Sequence, residues 1–495
     1  MCKSGRLHAS YPERSGILQA TLHQLTLVLV LALAGCSTIL PPDNKAITRI
    51  GENASYPPIK RAQQSEGDTL VLLAFSGGGT RAAALSYGVM QELRDTLIQS
   101  NGETVRLLDE VDTISSVSGG SFTAAYYGLY RDRLFEDYEK DFLRQGVQQA
   151  LITQLFNPMH WIRSGFYGFN RTEMAIDYYN RIMFDGATFA DMAKNGPPYI
   201  VINATDLGNG LRFSFSRAMF DLICTDLGSY PVARAVTASS AVPVAFPPVV
   251  LTNHASECEV DAQQEWQMLQ ELAPDTAVQR RIVDGLKSYR DSQNRKYIHL
   301  VDGGVADNLG LRVMIDRVES LNAQRLHALA HEHPGSILVI LVNAEVSPER
   351  LIEKSYGTPS LSVTMDAVTS AQFESYNRET LDRFRDMMTA LSEASAEDGL
   401  PTRTYFSQVS FKHIKSTEIN RMLNALPTAL ELDDIDVDRL ILAGRLILRN
   451  EPAFQAFKQE HHASLAEGAI TEEALCRYFD HPTCSGTHRP GSQGR

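Results

Sequence analysis

Clustered positive charge is missing from this 495-residue chain: 46 Lys and Arg stand against 59 Asp and Glu, a formal charge of −13, with no basic block. A nucleic-acid surface needs clustered cations to neutralise phosphates, so that partner class is excluded. No C-x-x-C pair occurs among the six cysteines, which removes the usual structural zinc site. The segment His331-Glu332-His333 is not H-E-x-x-H, so no zincin is implied. No EF-hand pattern is present, and neither calcium nor any other metal or cofactor is expected. What remains is ordinary globular composition, 43% hydrophobic and 21% charged, enough to bury a sizeable core. Length alone suggests two or three domains.

The N-terminus has Lys3, Arg6 and Arg14, then the apolar run Leu25 to Ala34, then Gly35 and Cys36. A run of about ten residues is short of the ~20 that a bilayer-spanning helix needs and fits a signal-peptide core. Leu33-Ala34-Gly35-Cys36 resembles the bacterial lipobox, in which the cysteine thiol receives a diacylglyceryl group and becomes the mature N-terminus. The expectation is a signal peptide over 1–35, membrane attachment through lipidated Cys36 and residence in the bacterial cell envelope. Several acyl chains anchor stably where one would not. Ser37, where Asp would favour the inner membrane of enteric bacteria, points to the outer membrane. With Cys2 removed and Cys36 acylated, four cysteines remain, which allow three pairings. Cys224–Cys258 and Cys476–Cys484 are the local ones, and sequence does not choose.

Residues 36–68, with Pro41, Pro42, Pro57 and Pro58 and no periodicity, read as a tether. Thr69 to Phe75 is a continuous apolar run and suggests a strand buried on both faces. Leu85, Val89, Leu93 and Leu97 share one helical face. Further strands are expected at Val111 to Val117, Tyr199 to Asn203, Leu211 to Phe215, Tyr297 to Val301 and Ile337 to Val342. Helices are expected at Gly119 to Tyr130 and Leu311 to Leu329. This alternation argues for an α/β fold with a mainly parallel sheet. Two insertions interrupt it: 131–196, rich in aromatics, which reads as core first and as a lid or acyl groove second, and 252–296, polar and charged. Residues 346–484 are expected to be mostly helical, and 485–495 to be a disordered tail.

Three clusters carry chemistry, each at the end of an expected strand. Ser76-Gly77-Gly78-Gly79-Thr80-Arg81 joins a strand to a helix. Bare glycine N–H groups at a helix N-terminus suit an anion, either phosphate or a transient oxyanion. The loop is neither a Walker loop nor G-x-G-x-x-G. Ser115-Ser116-Val117-Ser118-Gly119-Gly120-Ser121 has the spacing of a nucleophile elbow, G-x-S-x-G, with Ser116 at the first glycine position. Spacing selects Ser118. Val301-Asp302-Gly303-Gly304-Val305-Ala306-Asp307-Asn308 sets a carboxylate at a strand end, where ligands of open α/β sheets bind. Together these are the parts for acyl transfer.

In their order GGGTR, S-x-S-G-G and DGG, these motifs resemble the patatin-like phospholipases. Ala238 to Pro248 (ASSAVPVAFPP) resembles the A-S-x-A-x-P-x-x-F-P-P segment of that family. The resemblance covers roughly 69–345, the expected catalytic domain. It implies a patatin-like three-layer fold and a dyad: Ser118 as nucleophile, Asp302 as proton acceptor, Gly77, Gly78 and Gly79 as the oxyanion hole, and Arg81 as support for that loop. It further implies membrane lipids as substrates. Ser116 and Ser76 depart from the usual Gly and Asp of the family, and both are small.

Other readings share some of these features. His299, three residues before Asp302, would serve a Ser-His-Asp triad, but it lies within an apolar strand and reads as a core or edge histidine. His160, His254, His331 and His333 read as solvated. The same dyad could transfer acyl groups to an acceptor other than water. A non-catalytic envelope scaffold would need neither Ser118, Asp302 nor the triple glycine. Oligomeric state and lipid preference are not encoded in any of these motifs.

Overall fold

The computed structural model describes residues 42–48, 69–100, 102–147, 149–150, 170–243, 245–258, 276–319, 335–346, 352–354, 356–397, 401–414 and 417–468. Outside these residues lie the expected signal peptide, Cys36, most of the expected tether, Cys476, Cys484 and the tail. So do His160, His331, His333 and the aromatics Phe156, Trp161, Phe166, Tyr167 and Phe169.

Eight strands form the main sheet. Strand β1 (Thr69–Phe75) leads through the glycine loop into helix α1 (Gly79–Arg94). A small antiparallel hairpin, β2 (Thr96–Ser100) and β3 (Glu103–Arg106), stands apart from the main sheet. Strand β4 (Val111–Val117) turns at Ser118 into α2 (Gly119–Tyr130). After α3 (Arg171–Tyr179) come β5 (Tyr199–Asp206), β6 (Leu211–Phe215), α4 (Val232–Ser239) and β7 (Val249–Thr252). Then follow α5 (Ala277–Ser288), β8 (Tyr297–Asp302), α6 (Arg312–Glu319) and β9 (Ser336–Asn343). Further along come α7 (Leu361–Glu397), β10 (Arg403–Ser410), α8 (Asp434–Asn450) and α9 (Pro452–Glu460). The sheet order is β10-β9-β1-β4-β5-β8-β7, with β6 also on β5. From β10 to β5 the pairs are parallel; β5–β8, β8–β7 and β5–β6 are antiparallel.

Strands β1 and β9 are almost wholly apolar because both faces are covered. On β9, Leu338, Ile340 and Val342 pack into the core that holds Leu85 and Val89 of α1. The alternate residues Ile337, Val339 and Leu341 pack with Leu311, Ile315, Phe384 and Met388 of the opposite layer. Two helical layers around a mostly parallel sheet are the three-layer α/β architecture expected.

Residues beyond 345 are mostly helical, but they also complete this same core. Strand β10, which the sequence pattern did not reveal, pairs with β9 along its whole length. Helix α8 lies directly on α1: a Cβ on Gly88 would sit 2.0 Å from the Ile441 carbonyl oxygen, and one on Gly444 2.4 Å from that of Leu85. Between them, Arg449 clasps Glu92 with two hydrogen bonds of 2.7 Å and Arg445 reaches Asp95 at 2.6 Å, all of them buried.

Three further expectations need correction. Leu97 does not extend α1: Asp95 ends the helix and Leu97 lies in β2, so its four-residue spacing from Leu93 is coincidental. Part of the expected tether is docked: Asn44 bonds Thr225 and both backbone groups of Thr252, and Ile47 packs against the disulfide Cys224–Cys258. His254 is not simply solvated, since its ring bonds Glu257 at 2.7 Å and the Asn44 carbonyl at 3.1 Å. Of the first insertion, the described Tyr138 and Phe142 are core, with Phe142 stacked on Phe122 at 4.4 Å. Among the described residues no helix is long and apolar enough to cross a membrane.

Candidate active site

Strand β4 ends at Val117, and the chain must reverse sharply to start α2. Ser118 makes that turn with φ 48° and ψ −120°, a left-handed conformation that costs a non-glycine residue on the order of 1–3 kcal/mol. Neighbouring glycines make the turn possible. A Cβ on Gly119 would lie 2.0 Å from the Gly79 carbonyl oxygen, and one on Gly120 2.6 Å from Phe75 Cβ. The elbow and the glycine loop therefore touch. The Ser118 N–H donates to Ser239 Oγ at 2.8 Å, and Ser239 Oγ donates to the Asn203 carbonyl at 2.6 Å, which pins the strained residue to β5.

Asp302 closes β8 opposite Ala204 of β5, one residue beyond Asn203, which faces Val117. The register of β5 thus brings serine and aspartate to one end of the sheet. Ser118 Oγ donates to Asp302 Oδ2 at 2.8 Å, and Asp302 Oδ1 accepts from the Gly304 N–H at 2.8 Å. Burial raises the Asp302 pKa to about 6; the hydrogen bonds from Gly304 and Ser118 oppose the rise only in part. A buried carboxylate so placed can take a proton from the serine hydroxyl near neutral pH. His299 points elsewhere: it is exposed on β8, and its side chain has no hydrogen bond among the described residues.

The glycine loop needs one correction. The Gly77 N–H already donates to the Asn308 carbonyl at 2.9 Å, so it has no free donor for an oxyanion. A Cβ on Gly77 would crowd the Asn308 side chain, 2.5 Å from its Oδ1. The N–H groups of Gly78 and Gly79 have no hydrogen-bond partner among the described residues. Gly78 has φ 141° and Gly79 φ 61°, and a Cβ on Gly79 would lie 2.3 Å from the Ala429 carbonyl oxygen. That same carbonyl accepts from the Thr80 N–H at 2.9 Å.

Arg81 lies beneath the loop, fully buried. Its Nε donates to the Ala344 carbonyl (2.9 Å), Nη1 to the Leu426 carbonyl (2.8 Å) and Nη2 to Thr428 Oγ1 (3.0 Å). No carboxylate pairs with it among the described residues, and burial lowers its pKa to about 10, so it stays a cation. The guanidinium ties the start of α1 to the end of β9 and to the segment before α8.

Sequence reasoning missed several of these partners. Asn308 and Ser239 stand within motifs quoted for other reasons. Leu426, Thr428 and Ala429 carried no signal, since they lie far along the chain and act mainly through backbone carbonyls. Among the described residues no group of three or more His, Cys, Asp or Glu side chains is arranged to hold a metal ion.

Among solved structures, human GIVD cytosolic phospholipase A2 aligns with a TM-score of 0.37 at 12% identity, over 79% of this chain and 62% of that protein's length. No curated protein matches the sequence. The family model for Patatin-like phospholipase matches residues 73–315. The matched segment, 73–315, contains Ser118, Asp302 and the glycine loop, and is similar to a patatin-like phospholipase domain.

Proposed function

We propose that the protein is a lipid acyl hydrolase, a phospholipase A, lysophospholipase or broader esterase, working through a Ser118–Asp302 dyad. The observation that carries this reading is the 2.8 Å hydrogen bond from Ser118 Oγ to a buried carboxylate whose pKa lies near 6. In the proposed reaction Ser118 Oγ attacks the ester carbonyl carbon and its proton passes to Asp302. The tetrahedral oxyanion accepts from the N–H groups of Gly78 and Gly79, at the positive end of α1 and above the Arg81 cation. One such donor is worth on the order of 3 kcal/mol. The intermediate collapses, the carbon–oxygen bond to the alcohol breaks, and Asp302 returns the proton to the leaving oxygen. Water then attacks the acyl-serine while Asp302 takes its proton; the bond to Ser118 Oγ breaks, Asp302 returns the proton to Oγ, and the fatty acid is released with the serine restored.

Attachment to an envelope membrane through lipidated Cys36 belongs to the same reading: an anchored enzyme meets its substrate in the plane of the bilayer. The outer membrane is the site that Ser37 favours.

The test is hydrolysis of a medium-chain p-nitrophenyl ester and of a phospholipid by residues 37–495, beside Ser118→Ala, Asp302→Asn and His299→Ala. Loss of activity in the first two, with His299→Ala active, supports the dyad; phospholipid turnover separates phospholipase from esterase. A folded but inert wild type would favour an acyltransferase or a scaffold. An inactive, folded His299→Ala would restore the triad.

A further inference from the structure

A cavity of about 310 Å³ lies against the turn that follows Asp302. Arg212, Arg281, Arg312 and Arg383 line it, with Asp316 and Glu379 as its acidic groups. Ser118, Asp302 and the glycine loop do not line it, so it is separate from the candidate active site.

Its positive charge is only partly balanced. Arg212 pairs with Asp316 at 2.9 Å and Arg383 with Glu379 at 3.9 Å. Arg281, exposed, and Arg312 pair with no carboxylate among the described residues. Asp307, which accepts from the N–H groups of Gly310 (3.0 Å) and Arg312 (2.8 Å), adds a buried acidic group that interacts with Arg212 and Arg312 without pairing directly with either guanidinium. The Arg312 guanidinium lies over the Tyr376 ring, 4.1 Å from its centroid, which fixes its plane. Yet Nε and Nη2 of Arg312 and Nε of Arg212 are buried without any acceptor. A buried donor left unpaired is costly, more so on a charged group. An anion in the cavity would offset the charge of these guanidinium groups.

We infer that this cavity binds a phosphate-bearing anion, held by Arg281 and Arg312 with Arg212 behind them. Guanidinium forks match the oxygens of a phosphate group, and the four arginines outnumber the acidic groups around them. The volume leaves room for an ester substituent on the phosphate. The wall also leads to the dyad. The N–H of Ala306, which lines the cavity, donates to Thr205 Oγ1 at 3.0 Å, and Thr205 Oγ1 donates to the Asp302 carbonyl at 2.8 Å.

The experiment is calorimetric titration at constant ionic strength of residues 37–495 carrying Ser118→Ala, so that no ligand is hydrolysed. Inorganic phosphate, dihexanoyl phosphatidate and dihexanoyl phosphatidylcholine are the probes, the lipids kept below micelle formation. Saturable phosphate binding is expected, weakened at least tenfold by Arg281→Met and by Arg312→Met, and unchanged by Arg144→Met, which is not in the cavity wall. Tighter binding of phosphatidate than of phosphate assigns the site to a lipid headgroup; equal binding assigns it to free phosphate. Phosphatidylcholine, a monoanionic diester beside a cation, is expected to bind more weakly than phosphatidate. Absence of saturable phosphate binding, or binding that survives Arg281→Met undiminished, overturns the inference. Arg281 is exposed, so its variant decides the matter even where Arg312→Met does not fold.

Discussion

Ser118 and Asp302 are 184 residues apart in sequence, yet their side chains share a 2.8 Å hydrogen bond. Strand β5 sets this meeting: Val117 pairs with Asn203 and Asp302 with the next residue, Ala204. A slip of one residue in either pairing would turn a side chain to the other face of the sheet. Ser239 and Thr205 reinforce the register, one bonding the Ser118 N–H and the other the Asp302 carbonyl. The pair is thus held by backbone pairing and by side chains that do not themselves react.

The first prediction is a pH profile. Asp302 is useful as a base only when ionised, and burial sets its pKa at about 6. Ester hydrolysis should fall tenfold per pH unit well below 6 and level off above 7. The measurement is kcat/KM between pH 4.5 and 8.5 with a substrate that does not itself titrate. A half-maximum near 4 would mean that the carboxylate is solvated and that burial does not tune it.

The same burial has a cost in stability. Asp302 has a folded pKa near 6 against an unfolded value of about 3.9, so between these the folded state binds more protons. Stability from this group is fully present below pH 3.9 and is lost as pH rises through 6. A shift of two units corresponds to roughly 3 kcal/mol as an upper bound. Asp302→Asn cannot ionise, so its stability relative to wild type should improve by up to about that amount between pH 4 and pH 7.5. Urea unfolding at both pH values measures the change; a difference independent of pH would contradict the buried-charge argument.

How much of this was legible in the sequence follows the range of the interaction. The strands expected at 69–75, 111–117 and 211–215 coincide with β1, β4 and β6, because each strand's pattern is written in its own residues. Glycine and serine spacing located the elbow for the same local reason. Strand β10, RTYFSQVS, escaped notice because a half-exposed edge strand mixes polar and apolar residues without a continuous run. The hold of Thr428 and Ala429 on the glycine loop could not be read at all: it joins residues nearly 350 positions apart through a guanidinium and carbonyls, which leave no pattern.

That hold yields a third prediction. Arg81 satisfies three acceptors on two separate segments with one planar fork, which a single ammonium cannot reproduce. Arg81→Lys should lower kcat by one to two orders of magnitude while changing KM less than threefold, because the loop is loosened and not the acyl-binding surface. Thr428→Val, which removes one of the three bonds, should cost about 1 kcal/mol in stability and a smaller part of kcat. Ending the chain at residue 425, beyond the matched domain of 73–315, should abolish activity. A fully active truncation would show that the C-terminal segment does not support the loop.

The fourth prediction separates close contact from backbone strain. Gly79 and Gly102 both have positive φ, 61° and 80°, so alanine at either site bears a conformational penalty of about 1 kcal/mol. Their surroundings differ. A Cβ on Gly102 meets nothing within 4 Å, whereas one on Gly79 would sit 2.3 Å from the Ala429 carbonyl oxygen. Backbone cannot yield there without moving the Gly78 and Gly79 N–H groups that are proposed to face the oxyanion. Gly102→Ala should therefore lose about 1 kcal/mol of stability and keep its activity. Gly79→Ala should lose hydrolysis by at least two orders of magnitude, in keeping with the loss of one oxyanion donor, even where it remains folded by circular dichroism. Equal activity in the two variants would remove the glycine loop from the mechanism and leave it as a turn that only lets α1 approach the C-terminal segment.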